Sequence, residues 1–398
     1  MTRRPLQMND ALLDQVARTV DRHRLIDTAV ALVEVPSPTR SAGAAANRLA
    51  EILTADGFPV QRHAADWPEA PIVLAVLDSG RPGPTLQFDG HLDTVHLPFV
   101  PPRVENNTLY GSSSADMKGG IAAALEALRV LRTLDALPAG RVLFTAHDHH
   151  EGPWGDGRQV RAMIREGLVG DAVLLPEYLA TPLPVAGRGL AIFQATVRRD
   201  GEPVHEVLRP PGTPDVVAAG AQLVNRLHTW NEKLRENSHP LVGHDSTFVG
   251  NLQAGEIYNQ SPTECFVQGT RRWVPPASST AVQDEFSQVL AGIAAATGTE
   301  IDVEFAVQGG AYQIDSECRF VHAFQQAHTA LTGSSLPLGA KPFVDDGNIY
   351  ASEAGIPALT HGPAASGAHT LHEAAPIEEL VRVANVYALT AVAFCGEA

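Results

Sequence analysis

Five short stretches of this 398-residue chain gather side chains that bind cations and move protons. The first is Phe88-Asp89-Gly90-His91-Leu92-Asp93-Thr94-Val95. Thr85 to Phe88 reads as a short buried strand, broken by Asp89 and Gly90, so that His91 and Asp93 emerge at a strand's carboxyl end, where open α/β sheets carry their active sites. Alternation along extended chain points the two the same way, and one can bind a cation while the other orients it. The second stretch, Tyr110 to Gly120, places Asp116 just ahead of a helix, although a helix N-cap is an ordinary use of Asp there. The third, His147-Asp148-His149-His150-Glu151, packs three imidazoles and two carboxylates into five residues. The fourth is Glu177, after a strand over Ala172 to Leu175. The fifth runs from Gly362 to His369 and on to His372 and Glu373. Any one of these fits a polar turn. Together they supply imidazole and carboxylate after several strands, a mixture that suits zinc, manganese or cobalt. A carboxylate such as Asp116 can bridge two such ions about 3.5–4 Å apart.

The elements that must position these groups alternate. Asp10 to Glu34 reads as one helix, from the apolar spacing of Leu12, Leu13, Val16, Val20, Leu25, Ala29 and Leu32. A second helix covers Ala44 to Ala55. Strands follow over Val60 to His63, Ile72 to Leu77 and Leu86 to Phe88, then a helix over Gly119 to Leu134, a strand over Arg141 to Ala146 and a helix over Gln159 to Glu166. This alternation predicts a layered α/β domain. The texture changes near Gly187. Strands over Leu190 to Arg198, Thr247 to Leu252, Glu264 to Trp273 and Glu300 to Ala306, with helices over Val216 to Leu227 and Ala281 to Ala295, predict a small α+β sandwich of ferredoxin type. From Tyr312 the first texture returns, with a helix over Phe320 to Leu331 and a strand over Ile356 to Thr360. The predicted organisation is a catalytic domain over 1–187 and 308–398 with an insertion over 188–307.

Bulk properties exclude several classes. A net charge of -16 argues against nucleic-acid and anionic-membrane partners. The three scattered cysteines predict no disulfide framework and no thiolate zinc site, hence a reducing, cytoplasmic setting. No uninterrupted run of about 18 apolar residues predicts a membrane span. No glycine-rich nucleotide loop follows a strand.

Several of these stretches carry a family resemblance that extends over nearly the whole chain. Leu32-Val33-Glu34-Val35-Pro36-Ser37, Gly90-His91-Leu92-Asp93-Thr94-Val95, Asp116-Met117-Lys118-Gly119-Gly120 and Gly355-Ile356-Pro357 through His369 and Glu373 resemble motifs of the co-catalytic zinc amidohydrolases and peptidases. That family includes acetylornithine deacetylase, succinyl-diaminopimelate desuccinylase, aminoacylase and carboxypeptidase G. The resemblance implies that His91, Asp116 and Glu177 hold one metal, that Asp116 bridges to a second held with His369, and that Asp93 orients His91. It implies that His205 in Gly201-Glu202-Pro203-Val204-His205 stabilises an oxyanion, and that Asn259, Arg272 and Asn348 bind substrate. It also implies a homodimer formed through the inserted domain, acting as its lid.

One motif departs. The family has Asp-Glu-Glu-x-Gly, a base followed by a metal ligand, where this chain has Asp148-His149-His150-Glu151-Gly152. Direct alignment puts His149 at the base and His150 at the ligand position; a slip of one residue brings Glu151 into the proton-shuttle role instead. With imidazole replacing carboxylate, one ion rather than two is a live alternative. The expected function is hydrolysis of a C–N amide bond in a small carboxylate-bearing substrate, an N-acyl amino acid or small peptide. Hydrolytic deamination of an activated aromatic amine is the rival chemistry, and a metal-dependent binding protein without catalysis is a third reading.

Overall fold

The structure, a computed structural model, describes residues 10–396. It falls into two compact units. One comprises the described chain to Val185 with Ile314–Lys341 and the residues from Asp345 on; the other is Ala186–Gln313 with Pro342–Val344.

The first unit begins with α1 (Asp10–Thr19) and α2 (Arg22–Val33), where a single helix was expected. Asp21 makes the break. Its side chain accepts a hydrogen bond from Arg24 N and so caps α2, while its own N–H donates to buried Glu126 Oε1 at 2.8 Å. The apolar spacing continues across the break, which is why periodicity alone does not show it. Then come α3 (Gly43–Ala55), β1 (Val60–His63), β2 (Ile72–Asp78), β3 (Thr85–His91), α4 (Lys118–Thr133), β4 (Arg141–His147), α5 (Arg158–Glu166) and β5 (Ala172–Leu175).

The second unit contains β6 (Gly189–Arg198), α6 (Val216–Leu234), β7 (Ser246–Ala254), β8 (Glu264–Trp273), α7 (Ser279–Thr297) and β9 (Glu300–Gly309). Its antiparallel sheet has the order β7-β8-β6-β9. Strand, helix, two strands, helix, strand in that order is the ferredoxin-like pattern read from the sequence. Its core joins Phe193, Val197, Leu223, Leu227, Val267 and Phe286.

The first unit resumes with α8 (Arg319–Thr332), α9 (Asp346–Ala354), β10 (Ala358–Thr360) and α10 (Ile377–Gly396). Its six-stranded sheet runs β1-β2-β4-β3-β5-β10. The four strands β4, β3, β5 and β10 are mutually parallel, and β1 and β2 complete the edge antiparallel. Such parallel strands, covered by helices, carry near-continuous apolar runs, as β5 does in Ala172-Val173-Leu174-Leu175. The last helix, α10, is the element the sequence reading overlooked. It is long and apolar enough by composition to cross a membrane, yet 78% of that window is buried, and the helix packs between α4 and α8. It is a core helix, and its inward residues Leu380, Val383, Tyr387, Leu389 and Val392 join the largest hydrophobic cluster.

Candidate metal centre

The carboxyl ends of the parallel strands deliver the first groups. In the register of β3 against β4, His91 lies opposite His147. Glu177 follows β5. Two glycines let the loop of Glu177 come close. A Cβ on Gly120, in the first turn of α4, would stand 1.8 Å from Pro176 O, and one on Gly362 would stand 1.8 Å from Glu177 O. This close approach accounts for glycine in both motifs.

The loop bearing Asp116 is held from below. Glu373 accepts the N–H groups of Ser113, Ala115 and Asp116 at 3.0–3.1 Å. Burial raises the Glu373 carboxyl to about 7, against the pull of those donors. Lys118 is fully buried and donates to Val35 O and Ser37 Oγ, and Ser37 Oγ donates to Leu92 O at 2.7 Å. The early Val-Pro-Ser element thereby ties the His91 loop to the start of α4.

Asp116 lies between two imidazoles. Its Oδ1 is 3.1 Å from His91 Nε2, and its Oδ2 is 3.1 Å from His369 Nε2. Glu151 Oε2 is 3.2 Å from the same His369 nitrogen, and Glu177 Oε1 is 3.7 Å from His91 Nε2. All but His369 are buried. Burial and the charge of Asp116 push the carboxyls of Glu151 and Glu177 upward, Glu177 strongly. For Asp116 burial acts the same way but is outweighed by His369 and His91, which hold it well below the usual range. Contact with Asp116 and Glu151 carries His369 up to about 10.

This donor set fits a divalent cation. His91 Nδ1 donates to Asp93 O at 3.0 Å, so Nε2 turns its lone pair toward two carboxylates. Glu177 Oε2 is buried without a hydrogen-bond partner. Three carboxylates crowded around two imidazoles call for positive charge in their midst.

The run after β4 is arranged differently from the alignment. The backbone turns left-handed at His149, with φ of 71°. The His149 ring is thereby directed away from the carboxylate cluster, edge-on to Trp67 at 4.5 Å between centroids and with Nδ1 3.3 Å from Asp156. It is not brought to the base position expected from direct alignment. His150 has the spacing of a metal ligand, though not beside His369. Its ring stacks on His91 at 3.9 Å, and it groups with His91 and Glu177 rather than with His369. Glu151 is the residue that meets Asp116 and His369. Glu151, expected as the proton shuttle if the motif slips by one residue, thus lies among groups spaced to hold a metal ion. Asp93 secures it: its carboxylate accepts the N–H groups of His150 at 3.1 Å and Glu151 at 2.8 Å. What Asp93 gives to His91 is its carbonyl oxygen; its carboxylate oxygen is 3.7 Å from the ring.

Asp346, at the start of α9, was not singled out from the sequence. Its Oδ2 accepts from His150 Nδ1 at 2.7 Å. Only a residue's place in the third dimension reveals this, because the two are 196 positions apart. Burial opposes a charged His150, but Asp346 outweighs it and holds the imidazole well above its ordinary range. Asn348, expected at the substrate, is buried in the first turn of α9, where it and Asp345 form a capping box. In the second unit, Asn259 Nδ2 donates to His205 Nε2 at 3.0 Å, and His205 Nδ1 lies 2.7 Å from Glu206. Arg272, next to last in β8, is half-buried; burial and the nearby charge of Arg188 lower its pKa.

A model of peptidase family M20/M25/M40 matches residues 88–393. Succinyl-diaminopimelate desuccinylase of Halorhodospira halophila is 29% identical over 389 residues, covering 93% of this chain and 96% of the relative. That of Alkalilimnicola ehrlichii is 28% identical over 380 residues, covering 91% and 96%. Among solved structures, a tripeptidase from Staphylococcus aureus superposes with a TM-score of 0.78 at 22% identity, covering 94% of this chain and 99% of the other. Human carnosine dipeptidase 1 gives 0.75 at 14% identity, covering 98% and 100%. A Bacillus subtilis protein described as a dinuclear metal binding peptidase gives 0.69 at 18%, covering 95% and 99%. At these identities the structural likenesses show a shared fold.

Proposed function

We propose a reaction for this chain as a member of peptidase family M20/M25/M40, to which it belongs: metal-dependent hydrolysis of an amide bond in a small N-acylated amino acid or peptide. The observation that carries the reading is Asp116, whose two carboxylate oxygens each face a different imidazole at 3.1 Å. A carboxylate so placed suits a bridge between two ions. His91 and Glu177 would complete one ion's set, and Glu151 and His369 the other's. Zinc is the ion this mixture of nitrogen and oxygen donors favours. Bound there, divalent cations supply Lewis acidity that polarises an amide carbonyl and acidifies a water.

The chain's own groups do the rest. His150 keeps its Nδ1 proton on Asp346, which leaves Nε2 to accept a proton from the attacking water and pass it to the departing amine. The nearby acids alone favour the protonated imidazole; a divalent cation held by the neighbouring ligands would supply charge of the opposite sense, favouring a free Nε2. Glu151 therefore serves as ligand, and His150 takes the base role that alignment gave to His149. His205, Asn259 and Arg272 remain proposed substrate contacts, Arg272 through a forked contact with a substrate carboxylate. A homodimer through the second unit is also proposed; Phe248 and Leu252, 66% and 44% exposed on the edge strand β7, support it. The three cysteines are unpaired, which suits a cytoplasmic setting.

The test is a panel of N-succinyl and N-acetyl amino acids, dipeptides and aromatic amines, with zinc-loaded enzyme. Release of the acyl carboxylate or of an amino acid is expected. Release of ammonia alone would establish the deaminase reading. Full metal loading with no turnover of any class would leave a binding protein.

A further inference from the structure

Three loops that carry candidate metal ligands run straight on into exposed apolar side chains. Leu97 and Phe99 follow His91, Trp154 follows Glu151, and Leu371 follows His369; in that order the four are 45%, 41%, 37% and 44% exposed. Single apolar residues scattered over a surface need no explanation. Four on the loops of one site do, and neither metal binding nor proton transfer uses them.

The loops are held in place, so the exposure is built into them. At the start of the first, Thr94 N–H donates to Ser37 O at 2.9 Å. At its far end Val100 N–H donates to Ser112 Oγ and Ser112 N–H donates to Val100 O, each at 2.9 Å, which ties it to the loop of Asp116. The second loop is turned by Gly155 N–H, which donates to Glu151 O at 2.7 Å, and Arg40 Nε donates to Trp154 O at 3.2 Å. These two loops meet where the His96 ring lies edge-on to Trp154, with 4.3 Å between centroids. In the third, Thr370 N–H donates to Gly367 O at 3.0 Å and His372 N–H to Thr370 Oγ1 at 3.1 Å, on either side of Leu371. Apolar side chains fixed in water forgo the stabilisation of burial but offer pre-organised contact area to a ligand.

We propose that Leu97, Phe99, Trp154 and Leu371 form an apolar rim around the metal centre that selects amides bearing a large uncharged apolar group, aromatic or branched aliphatic, on the acyl half or on the amino-acid side chain. This rests on the amide hydrolysis proposed above.

The residue types decide the class. A hydrocarbon group laid against this rim removes apolar area from water on both sides, and an aromatic ring can pack edge-on or offset against Trp154. A carboxylate in the same place would lose hydration and gain no partner from these four side chains. The second unit repeats the pattern at its proposed substrate contacts. Val207 and Leu208 follow His205, Ile257 and Tyr258 precede Asn259, and all four are exposed. Arg199 pins both stretches, donating to Glu202 O at 3.2 Å and to Ser261 O at 3.0 Å.

The test is a matched panel on the zinc-loaded full chain: N-acetylglycine, N-acetylphenylalanine, N-phenylacetylglycine and N-succinylglycine. At least one of the two aromatic members should exceed N-acetylglycine in kcat/KM by at least about tenfold, and which one does so places the apolar group on the acyl or the amine half. N-succinylglycine should show no such gain. In Trp154→Ala and Phe99→Ser that preference should shrink by at least about five-fold. Binding is read separately, by calorimetry with ketomethylene analogues of the same compounds, which have no C–N bond to break, and the same preference is expected in Kd. No cleavage of any amide with the binding preference intact would remove the hydrolysis reading and leave the rim standing. Equal binding of the aromatic and acetylglycine analogues, a preference for the succinyl member, or an unchanged aromatic preference in both folded variants would overturn the rim. A wild-type dimer that becomes monomeric in these variants with the preference intact would assign the rim to a second copy of the chain instead.

Discussion

The two sides of the His91–His150 stack use the same residue types to opposite ends. On one side, Asp116, Glu151 and Glu177 surround His91 and His369, and Glu177 Oε2 has no partner. On the other, Asp89 and Asp346 flank His147, whose Nε2 is likewise buried without a hydrogen-bond partner, while Thr145 and Tyr350 donate to Asp89 and His150 to Asp346. The first side has more negative charge than its protons can balance and invites cations. On the second, both carboxylates already accept hydrogen bonds from protein donors. The contrast teaches that imidazole and carboxylate counts alone do not distinguish one polar cluster from the other; the donors that already satisfy the carboxylates do.

The largest break of the comparison is Asp116→Ala, which removes the group shared by both halves of the cation side. Activity should fall by at least about 10³-fold, several kcal/mol of barrier, with loss of bound zinc on equilibrium dialysis. Glu151→Gln should follow, losing about 10²–10³-fold with reduced zinc occupancy. In contrast, His149→Ala should leave kcat within a few-fold and lower stability by about 1–3 kcal/mol through lost packing on Trp67, read from a denaturant titration. Gly362→Ala tests the scaffold under both sides. Its methyl has no room against Glu177 O, so overpacking of about 1–3 kcal/mol should accompany reduced metal affinity.

The His147 side predicts a smaller effect with a definite sign. The folded pKa of His147 is raised, so its stabilisation is fully present below about 6.5 and is lost as pH rises through about 9. Relative to His147→Gln, the wild type should lose roughly 3 kcal/mol of unfolding free energy across that window. Taking the difference removes the opposite contribution of buried Lys118, whose pKa burial lowers to about 7. A difference independent of pH would show that the His147 pKa is not raised in the folded chain.

Much of the cation side was legible because its residues belong to short motifs whose glycines and strand ends carry local meaning. His91, Asp116, Glu177 and His369 meet as anticipated, since each lies beside a feature that periodicity and turn chemistry reveal. The run from His147 to Glu151 was not legible. Five polar residues in a row have no periodicity, and a left-handed backbone at His149 decides which ring faces inward. Likewise α10 was overlooked because Glu378, Glu379, Arg382 and Asn385 interrupt its apolar run near one end.

By itself, the sequence determined the layered α/β unit, the ferredoxin-like insertion, the family and four groups of the candidate metal centre, because these follow from apolar spacing and from motifs a few residues long. Only the tertiary structure decided that His150 and Glu151, not His149, join them, and that Asp346, 196 residues from His150, holds its imidazole. The physical reason is that side-chain direction in an irregular turn is set by its distant hydrogen-bond partners, here the Asp93 carboxylate and Asp346, which no local pattern encodes.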